Sequence, residues 1–530
     1  MSTWQQHLII APVILPLATG ALLVLLDERR HTLKAMISVI SALVLLATAF
    51  ILQQHIDGVP AQVYALGNWP APFGIVLVAD RLSAVMVLLA SVLALAALLF
   101  SLARWHRTGP RFHALVQFLL MGLNGAFLTG DLFNLFVFFE LLLAASYALA
   151  LHGSGAVRVK ASLHYITINV TASLLFLIGA SLIYAVTGTL NMADLAVRIP
   201  AVAEGDRVLL ESGASILGVA FLIKAGMWPL CFWLPSTYAA SSAPAAALFA
   251  ILSKVGVYAI LRLWLLFFGT GSGASAGFGE QWLVLGGMMT LVFGMIGVLA
   301  SQELPRLVGF SLLVSSGTLL AAVGVGQAAV TAAALYYLIV STLGVSAFYL
   351  LIELIERGRE PGADVLAVTA EEFGDMEDDD HVDRSDEIGF AIPATMAFLG
   401  LSFACCALLL AGLPPMPGFI GKFALLSAFL GVESMTVVAW VMLVLLTMSG
   451  LAAIIAMSRT GIRIFWASQR SSLPRVSVIE ATPILLLLAL CALLTFQAGP
   501  AMRYLTDTAA SLHAPRVYVD QVLPLVPPGR

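Results

Sequence analysis

Five charged side chains lie inside otherwise apolar stretches of this sequence. They are Glu140 in FVFFELLLAAS, Lys224 in GVAFLIKAGMWP, Lys254 in LFAILSKVGVYA, Arg262 eight residues further on, and Lys422 in PGFIGKFALL. A charge at the centre of a membrane helix costs about 3 kcal/mol, so it normally faces the protein interior and marks a route for ions or protons. One carboxylate cannot neutralise three ammonium groups, which disfavours the alternative of a buried ion pair that only fixes helix packing. We therefore predict that Glu140 and the three lysines carry protons. Arg262 lies near the end of its span and could extend to the membrane surface, so we predict a structural role for it.

Lysine suits proton transfer inside a membrane because burial makes an ammonium group easier to deprotonate, whereas a nearby carboxylate has the opposite effect. We predict that Glu140 keeps Lys224 protonated while the two are close. Their separation would let Lys224 pass its proton towards Lys254, with Lys422 at the far end of the route. Histidine is the other natural proton carrier. His164, in ASLHYITINVTAS, is either a group that takes up protons or an ordinary interfacial side chain.

Prolines accompany two of the lysines. A proline inside a membrane helix frees backbone groups that need a polar partner or water, so it indicates a broken helix. The predicted helix breaks lie at Pro229 and Pro235, after Lys224, and at Pro414, Pro415 and Pro417, before Lys422. Broken helices at corresponding places in two halves indicate inverted repeats with the transport site at their interface.

The composition requires a membrane. Of 530 residues, 60% are hydrophobic and only 11% are charged, which is more apolar surface than a water-soluble domain can bury. The formal net charge of -4 and the scattered basic residues make nucleic acid an improbable partner. No Gly-rich dinucleotide turn is present, and the four cysteines lack the spacing of a metal site, so we expect neither a cofactor nor a metal. The start, MSTWQQHLII, lacks the features of a cleaved signal peptide and is expected to lead into a retained helix.

The apolar stretches predict an all-α integral membrane protein with about fourteen transmembrane spans. The predicted spans are 8–26, 35–54, 74–103, 113–129, 131–151, 161–187, 209–238, 241–269, 281–300, 307–324, 328–355, 389–431, 435–458 and 476–498. Odd-numbered loops contain sixteen Lys and Arg residues and even-numbered loops contain only Arg198 and Arg207, so both termini are predicted on the non-cytoplasmic side. The predicted organisation is three helices in 1–110, repeats in 111–270 and 280–465, an acidic cytoplasmic loop at 356–387, and a last helix with a tail in 475–530.

Four segments, in this order, carry a resemblance to a known family: NLFVFFELLLAASYAL, FLIKAGMWPLCFWLPSTY, ALFAILSKVGVYAILRL and AGLPPMPGFIGKFALLSAF. Over residues 70 to 500 the chain resembles the antiporter-like family. This family comprises the proton-pumping membrane subunits of respiratory complex I, related hydrogenase subunits, and the large subunits of multisubunit Na⁺/H⁺ (Mrp or Pha) antiporters. In length and in local segments the chain is most similar to the D-type antiporter subunits.

The resemblance implies fourteen helices, two inverted five-helix repeats, and breaks in helices 7 and 12. It also implies roles for the intramembrane charges: Glu140 as the family's fifth-helix glutamate, Lys224 as its partner, Lys254 as the bridging lysine and Lys422 as the exit-side residue. The implied function is proton translocation in a multisubunit antiporter of the bacterial inner membrane, with other membrane subunits as partners and Na⁺ or another monovalent cation as the exchanged ion. The alternative is a proton-pumping subunit of a quinone oxidoreductase or a membrane hydrogenase.

The sequence departs from the family in the eleventh helix. Many relatives have a His and a Lys there, whereas this chain has Ile339, Val340, Ser341, Gly344 and Ser346. Protons that move between Lys254 and Lys422 would then need water or hydroxyl groups. The candidates are Ser315, Ser316, Thr318, Tyr336, Tyr337, Ser341 and Thr342. The membrane segments also lack a cluster of carboxylates suited to a dehydrated Na⁺, so we expect the cation to pass through a partner subunit.

Overall fold

The computed structural model describes residues 7–59, 61–357, 394–431, 437–465 and 476–523, and this part of the chain is almost entirely helical. The first ten helices are α1 (Ala11–Leu25), α2 (His31–Ile56), α3 (Arg81–Ser101), α4 (Phe112–Leu128), α5 (Leu132–Ala150), α6 (Ala156–Thr187), α7 (Met192–Arg198), α8 (Glu204–Ala225), α9 (Trp233–Ala240) and α10 (Ala243–Phe249). The following ten are α11 (Leu252–Phe268), α12 (Glu280–Ala300), α13 (Leu304–Gly324), α14 (Ala328–Glu356), α15 (Ala394–Ala411), α16 (Pro417–Leu430), α17 (Val437–Phe465), α18 (Val478–Phe496), α19 (Ala498–Leu512) and α20 (Pro515–Val522).

Twelve helical segments of the described residues are long and apolar enough to cross a membrane, and α1, α4 and α16 are shorter apolar helices. The prediction of a polytopic all-α membrane protein is therefore confirmed. Within the described residues, each predicted span falls on one helix or, for the seventh, eighth and twelfth, on two, and the third also includes a strand. The division of the eighth span into α10 and α11 was not predicted. The seventh span falls on α8 and α9, and the twelfth falls on α15 and α16. The number of fourteen crossings stays a prediction, because length and composition alone identify these helices.

The predicted third span begins too early. Residues Val76–Ala79 form a β-strand, β2, which pairs antiparallel with β1 (Gln62–Ala65), and α3 begins only at Arg81. The short apolar run VLVA fits a strand or a helix equally well, so its apolar character could not separate the two. Asp80 ends the strand and caps α3, with its carboxylate accepting the backbone N–H of Ser83 at 2.9 Å. Asp131 caps α5 in the same way, with its carboxylate accepting the backbone N–H of Asn134.

Arg262 does not extend to the membrane surface. Its side chain is 8% exposed and makes a two-pronged ion pair with Asp80, with one hydrogen bond of 2.7 Å, and Tyr518 of α20 packs over its guanidinium group. The prediction of a snorkelling arginine is wrong, because a buried carboxylate offers a closer partner than water does. The prediction of a structural role is compatible with this pairing, which joins α3, α11 and α20.

The residues after the last predicted span form more structure than a polar tail. Helices α19 and α20 follow α18 directly, and α20 packs against α7 and β1. The predicted acidic loop at 356–387 lies outside the described residues except for its first two positions.

The centre of the molecule consists of α3, α10, α11, α13 and α14. The most apolar stretch of each is mostly or completely buried, whereas α2, α6, α15, α17 and α18 expose one face. Small residues permit the close packing of α12 on α13: a Cβ on Gly287 would lie 2.4 Å from the backbone nitrogen of Ala321, and one on Gly317 would lie 2.5 Å from that of Leu291. The central helices contain Lys254, Ser315 and Ser341, so the fold places these residues away from lipid.

Candidate functional site

Lys254 starts a chain of hydrogen bonds across three central helices. Its side chain is 0% exposed, and its Nζ atom donates to the hydroxyl of Ser315 on α13 at 2.8 Å. The Ser315 hydroxyl donates in turn to that of Ser341 on α14 at 2.9 Å. Ser341 donates to the carbonyl of Leu338 at 3.2 Å. Every donor in this chain therefore points away from Lys254 and towards α14.

A small cavity lies beside the two serines. Its volume is about 20 Å³, which is room for about one water molecule. Its lining includes Ser315, Tyr337 and Ser341 of α13 and α14, together with Leu410 of α15 and Gly418 of α16. The cavity thus lies between the hydroxyl chain that begins at Lys254 and the break between α15 and α16.

Lys422 is held at that break. Its side chain is 7% exposed, and its Nζ atom donates to the carbonyls of Ala411 at 3.0 Å and Leu410 at 3.3 Å. These are the last two residues of α15, whose carbonyls have no helical N–H partner because the helix ends there. A positive charge at this place also complements the negative end of the α15 dipole. Lys422 therefore caps α15 from α16, and one of its two partners, Leu410, also lines the cavity.

Lys224, by contrast, has no polar partner among the described residues. It is the penultimate residue of α8 and is 7% exposed, and its Nζ atom lies 5.1 Å from the ring centroid of Phe139 on α5. The neighbouring Glu140 also has an Oε1 atom that is buried and without a hydrogen bond in the same part of the chain. The predicted pair is thus adjacent, with an aromatic ring beside both residues, but Glu140 and Lys224 form no ion pair in this structure.

Close packing joins the Lys224 helix to the Lys254 helix. Gly256, two residues after Lys254, touches the end of α8, and a Cβ at this position would lie 2.9 Å from the backbone carbonyl carbon of Lys224. A larger residue would push α8 and α11 apart. The glycine therefore keeps the two lysines on helices in direct contact.

The predicted helix breaks fall at two kinds of position. Pro229 lies between α8 and α9, and Pro414 and Pro415 lie between α15 and α16. Pro235 lies in the first turn of α9 and Pro417 is the first residue of α16, where a proline needs no helical N–H partner. The helix bounds therefore show interruptions at both places, next to Lys224 and before Lys422. The Trp228-Pro229 and Pro414-Pro415 peptide bonds are cis.

The remaining candidates divide into two groups. Tyr337 and Ser341 lie at the cavity, and the hydroxyl of Ser316 is buried without a hydrogen bond among the described residues. His164 lies on an exposed face of α6. Within the described ranges, no group of three or more His, Cys, Asp or Glu side chains is arranged to hold a metal ion.

Two polar clusters were missed by the sequence reasoning. In one, Trp105 donates to Glu353, and Arg357 bridges Glu353 and Glu480. In the other, histidines surround the start of α4 near His113. In the sequence, the only sign of the first cluster is the i, i+4 spacing of Glu353 and Arg357. Its other members come from distant segments of the chain. The second had a signal in the i, i+4 spacing of His113 and Gln117, two polar residues on one face of an apolar helix.

Comparison with known proteins places these residues in a family. A family model described as NADH:quinone oxidoreductase/Mrp antiporter, TM matches residues 129–448, which include Glu140 and all three lysines. The chain is 58% identical, over 99% of its length and 98% of the relative, to the D-type subunit of a probable K(+)/H(+) antiporter of Rhizobium meliloti. It is 34% identical, over 98% of its length and 100% of the relative, to the D-type subunit of a Na(+)/H(+) antiporter of Alkalihalophilus pseudofirmus.

Solved structures share the fold. A chain of the Mrp complex from Dietzia sp. DQ12-45-1b matches with a TM-score of 0.83 and 24% identity, over 98% of this chain and 100% of that one. A chain of respiratory complex I from Thermus thermophilus matches with a TM-score of 0.73 and 22% identity, over 96% of this chain and 99% of that one. The chain belongs to the NADH:quinone oxidoreductase/Mrp antiporter transmembrane family.

Proposed function

We propose that this chain is the proton-translocating subunit of a multisubunit antiporter that exchanges a monovalent cation for protons across a bacterial inner membrane. Relatives that align along nearly its whole length are named as D-type subunits of K⁺/H⁺ or Na⁺/H⁺ antiporters, which supports a transporter component over a component of a redox enzyme. These names also imply other membrane subunits as partners. The observation that carries the proposal is the buried line from Lys254 through Ser315 and Ser341 to a cavity whose lining includes Leu410, a hydrogen-bond partner of Lys422.

Proton transfer along this line starts from the ammonium group of Lys254. The Ser315 hydroxyl accepts a proton from Lys254 while it passes its own proton to Ser341, and the donor directions already match this order. Ser341 then turns its hydroxyl from the Leu338 carbonyl to a water in the cavity and gives that water a proton. The water passes a proton on to a neutral Lys422 amine. Hydroxyl groups can relay protons because each is both a donor and an acceptor. The hydroxyl groups would thereby take the place of the His and Lys that, by the family resemblance, many members have in the eleventh helix.

Glu140 and Lys224 control the other end of the route. No hydrogen bond joins Glu140 to Lys224, so the distance between the two side chains can change without breaking an ion pair. When Glu140 approaches, the Lys224 ammonium is favoured, and when it withdraws, Lys224 gives up its proton more readily. Contact between α8 and α11 at Gly256 places Lys254 on the adjacent helix to receive that proton.

The topology proposed from the sequence fits this route. Both termini lie on the non-cytoplasmic side, because Lys and Arg are concentrated in the odd-numbered loops. Residues 111–270 and 280–465 form inverted repeats, each with one interrupted helix. Lys254, near the end of the first repeat, then passes protons to the second repeat.

The exchanged cation is K⁺ or Na⁺, which are the ions in the names of the relatives. The proposed route contains one carboxylate, Glu140, rather than the several oxygen ligands that a dehydrated cation needs. We therefore place the cation route in a partner subunit. A chain that restores cation tolerance to cells without its partner subunits would contradict this placement.

The test uses everted membrane vesicles that contain the complete complex, from cells without other antiporters. Collapse of an imposed pH gradient is measured after addition of K⁺ or Na⁺, for the wild type and Lys254→Met. Lys160→Met, at the exposed start of α6, is the matched control. We expect Lys254→Met to lose at least about tenfold in rate, which corresponds to about 1.4 kcal/mol, and Lys160→Met to remain active. Full activity of an assembled Lys254→Met complex would refute the relay, and proton movement that depends on quinone reduction and on no cation would favour the redox alternative.

A further inference from the structure

The helical span that contains Lys254 is interrupted just before this lysine. Helix α10 ends at Phe249 and α11 begins at Leu252, so Lys254 is the third residue of α11. The two residues between the helices, Ala250 (φ -53°, ψ -31°) and Ile251 (φ -84°, ψ -20°), keep right-handed helical backbone angles. Small rotations of the backbone would therefore join α10 and α11 into one continuous helix.

The hydroxyl of Tyr238 binds the end of α10. Tyr238 lies in α9, is 0% exposed, and donates to the carbonyl of Phe249 at 2.8 Å. In a continuous helix this carbonyl would accept the backbone N–H of Ser253, four residues later. A buried carbonyl without a donor is costly, and here a side chain from another helix supplies the donor. Tyr238 therefore stabilises the interrupted form, in which the Phe249 carbonyl needs no helical N–H.

The interruption decides the electrostatic environment of Lys254. The N-terminus of a helix has a partial positive charge, which disfavours a cation in the first turn. Lys254 is in the first turn of α11, and side chains lean towards the N-terminus of their helix. In a continuous helix from Ala243 to Phe268, the same lysine would lie near the middle, where the helix dipole has little effect. The open break therefore makes the Lys254 ammonium give up its proton more readily than a closed one would.

Within the described residues, no carboxylate pairs with Lys254 to offset this effect. Of the helices packed against α11 around Lys254, α8 contributes Lys224, which is also a cation, α13 contributes the Ser315 hydroxyl, and α10 has no titratable side chain. On α11 itself, Tyr258 lies about one turn further on, and Arg262 lies about two turns further on, in its own ion pair. The position of Lys254 relative to the break is therefore free to set how firmly the lysine holds its proton.

Tyr349 of α14 provides a matched control for Tyr238. Its side chain is 3% exposed, its ring centroid lies 6.3 Å from that of Tyr238, and its hydroxyl has no partner among the described residues. Tyr349→Phe therefore removes a buried hydroxyl without breaking a hydrogen bond of this part of the chain. Tyr238→Phe, in contrast, keeps the ring but removes the donor to the Phe249 carbonyl.

We propose that Tyr238 is a positioning residue for the proton relay, because its hydrogen bond to Phe249 keeps the break between α10 and α11 open and so holds Lys254 in the first turn of α11. With this bond formed, Lys254 readily releases a proton to Ser315. Without it, the Phe249 carbonyl takes a backbone N–H, the helix closes, and Lys254 retains its proton to higher pH. Tyr238 itself carries no proton in the relay.

The first test needs no transport. Backbone hydrogen exchange over residues 249–255 is measured on the purified complex for the wild type, Tyr238→Phe and Tyr349→Phe. We expect exchange to be about tenfold slower in Tyr238→Phe, because a closed helix gives each N–H group of this segment a partner. Tyr349→Phe should exchange as the wild type does. Exchange that is unchanged or faster in Tyr238→Phe, or equally slowed in Tyr349→Phe, would overturn the role of Tyr238.

The second test measures antiport against pH, and it rests on the proposed function for its readout. Vesicles with equal amounts of assembled complex are assayed between about pH 6 and about pH 9, a range in which a buried lysine can titrate. We expect the pH optimum of Tyr238→Phe to lie about half a unit or more above that of the wild type, because the dipole no longer opposes the charge on Lys254. Tyr349→Phe should keep the wild-type optimum.

The two tests separate this proposal from the relay. An unchanged optimum in Tyr238→Phe, or a rate that falls equally at every pH, would overturn the positioning role even if hydrogen exchange is slowed. Failure of the relay itself has a different sign, which is full activity of an assembled Lys254→Met complex. The hydrogen-exchange result does not depend on that activity.

Discussion

Lys224 and Lys422 each lie within a few residues of a helix break, but the structure holds them differently. Lys422 binds the last two carbonyls of α15, whereas Lys224 lies against the ring of Phe139 without a polar partner among the described residues. Side chains on a helix lean towards its N-terminus. Lys422 follows its break and therefore leans back into it, but Lys224 precedes its break and leans away from the carbonyls freed at the end of α8. The position of the lysine relative to the break thus decides whether the lysine is bound or free.

Two pairs of opposite charge inside the protein differ in a similar way. Asp80 and Arg262 are bonded directly, but Glu140 and Lys224 are not. The bonded pair joins α3 to α11 beside Tyr518 of α20, and the unbonded pair lies at the start of the proposed proton route. A bonded pair suits a structural role, and an unbonded pair can change its charge state at lower cost.

The largest expected loss of stability follows from breaking the pair of Asp80 and Arg262. Asp80→Asn leaves the buried guanidinium of Arg262 without a counter-charge and should lower the free energy of unfolding by about 3–5 kcal/mol, whereas Glu140→Gln should have little effect. Thermal unfolding of the purified complex measures both. Equal losses for the two variants would contradict the distinction between the pairs.

The contribution of Asp80 to the stability of the folded protein should also depend on pH. Burial raises the pKa of Asp80, but Arg262 more than offsets this, so the folded-state pKa lies below the ordinary value of 3.8. The stabilisation from this carboxylate is therefore fully present above that value and is lost as the pH falls through the lower folded-state pKa. Asp80→Asn should accordingly lose less stability than the wild type between about pH 4 and about pH 2. A midpoint that falls equally for both proteins would contradict this pKa direction.

The next largest difference in stability is expected between variants of Lys422 and Lys224. Lys422→Met leaves the carbonyls of Leu410 and Ala411 without their donor and should lower the free energy of unfolding by about 1–3 kcal/mol. Lys224→Met removes a buried charge that has no hydrogen bond among the described residues, so it should leave stability unchanged or increase it. Both variants should lose proton transport, because each removes a proposed carrier. A loss of stability in Lys224→Met as large as that in Lys422→Met would refute the contrast between bound and free lysines.

The smallest effect concerns the aromatic ring beside Lys224. Phe139→Leu removes the contact between the ammonium group and the ring, which is worth about 0.5–2 kcal/mol in a desolvated site. The loss should disappear in a Lys224→Met background, apart from what the smaller side chain costs in packing. A double-mutant cycle on thermal stability measures this coupling, and a coupling of zero would show that the ring only fills space.

Much of the architecture could be predicted from local sequence. Apolar length indicated the membrane helices, and prolines located the interruptions after Lys224 and before Lys422, because both signals act within a few residues. The burial of the three lysines also followed from their apolar surroundings, and the structure confirms it.

Contacts between distant segments could not be predicted in the same way. The partner of Arg262 lies 182 residues earlier in the chain, so the sequence showed only that the arginine was near the end of a span. Ser315 and Ser341 were two of several possible hydroxyl carriers until the packing of α13 on α14 brought them together. The histidines around His113 come from separate segments, and such a cluster depends on tertiary packing rather than on any one motif.

The central claim is that protons pass from Lys254 to Lys422 through the hydroxyls of Ser315 and Ser341. Cation-driven proton movement should be measured in vesicles with equal amounts of assembled complex for Ser315→Ala, Ser341→Ala and the double variant. Thr342→Val is the matched control, because this hydroxyl also bonds to the Leu338 carbonyl but receives no bond from Ser315. We predict a rate about tenfold lower for each single variant, about 1.4 kcal/mol, no further loss in the double variant, and a rate within about twofold of the wild type for Thr342→Val. A double variant with the wild-type rate would contradict the claim.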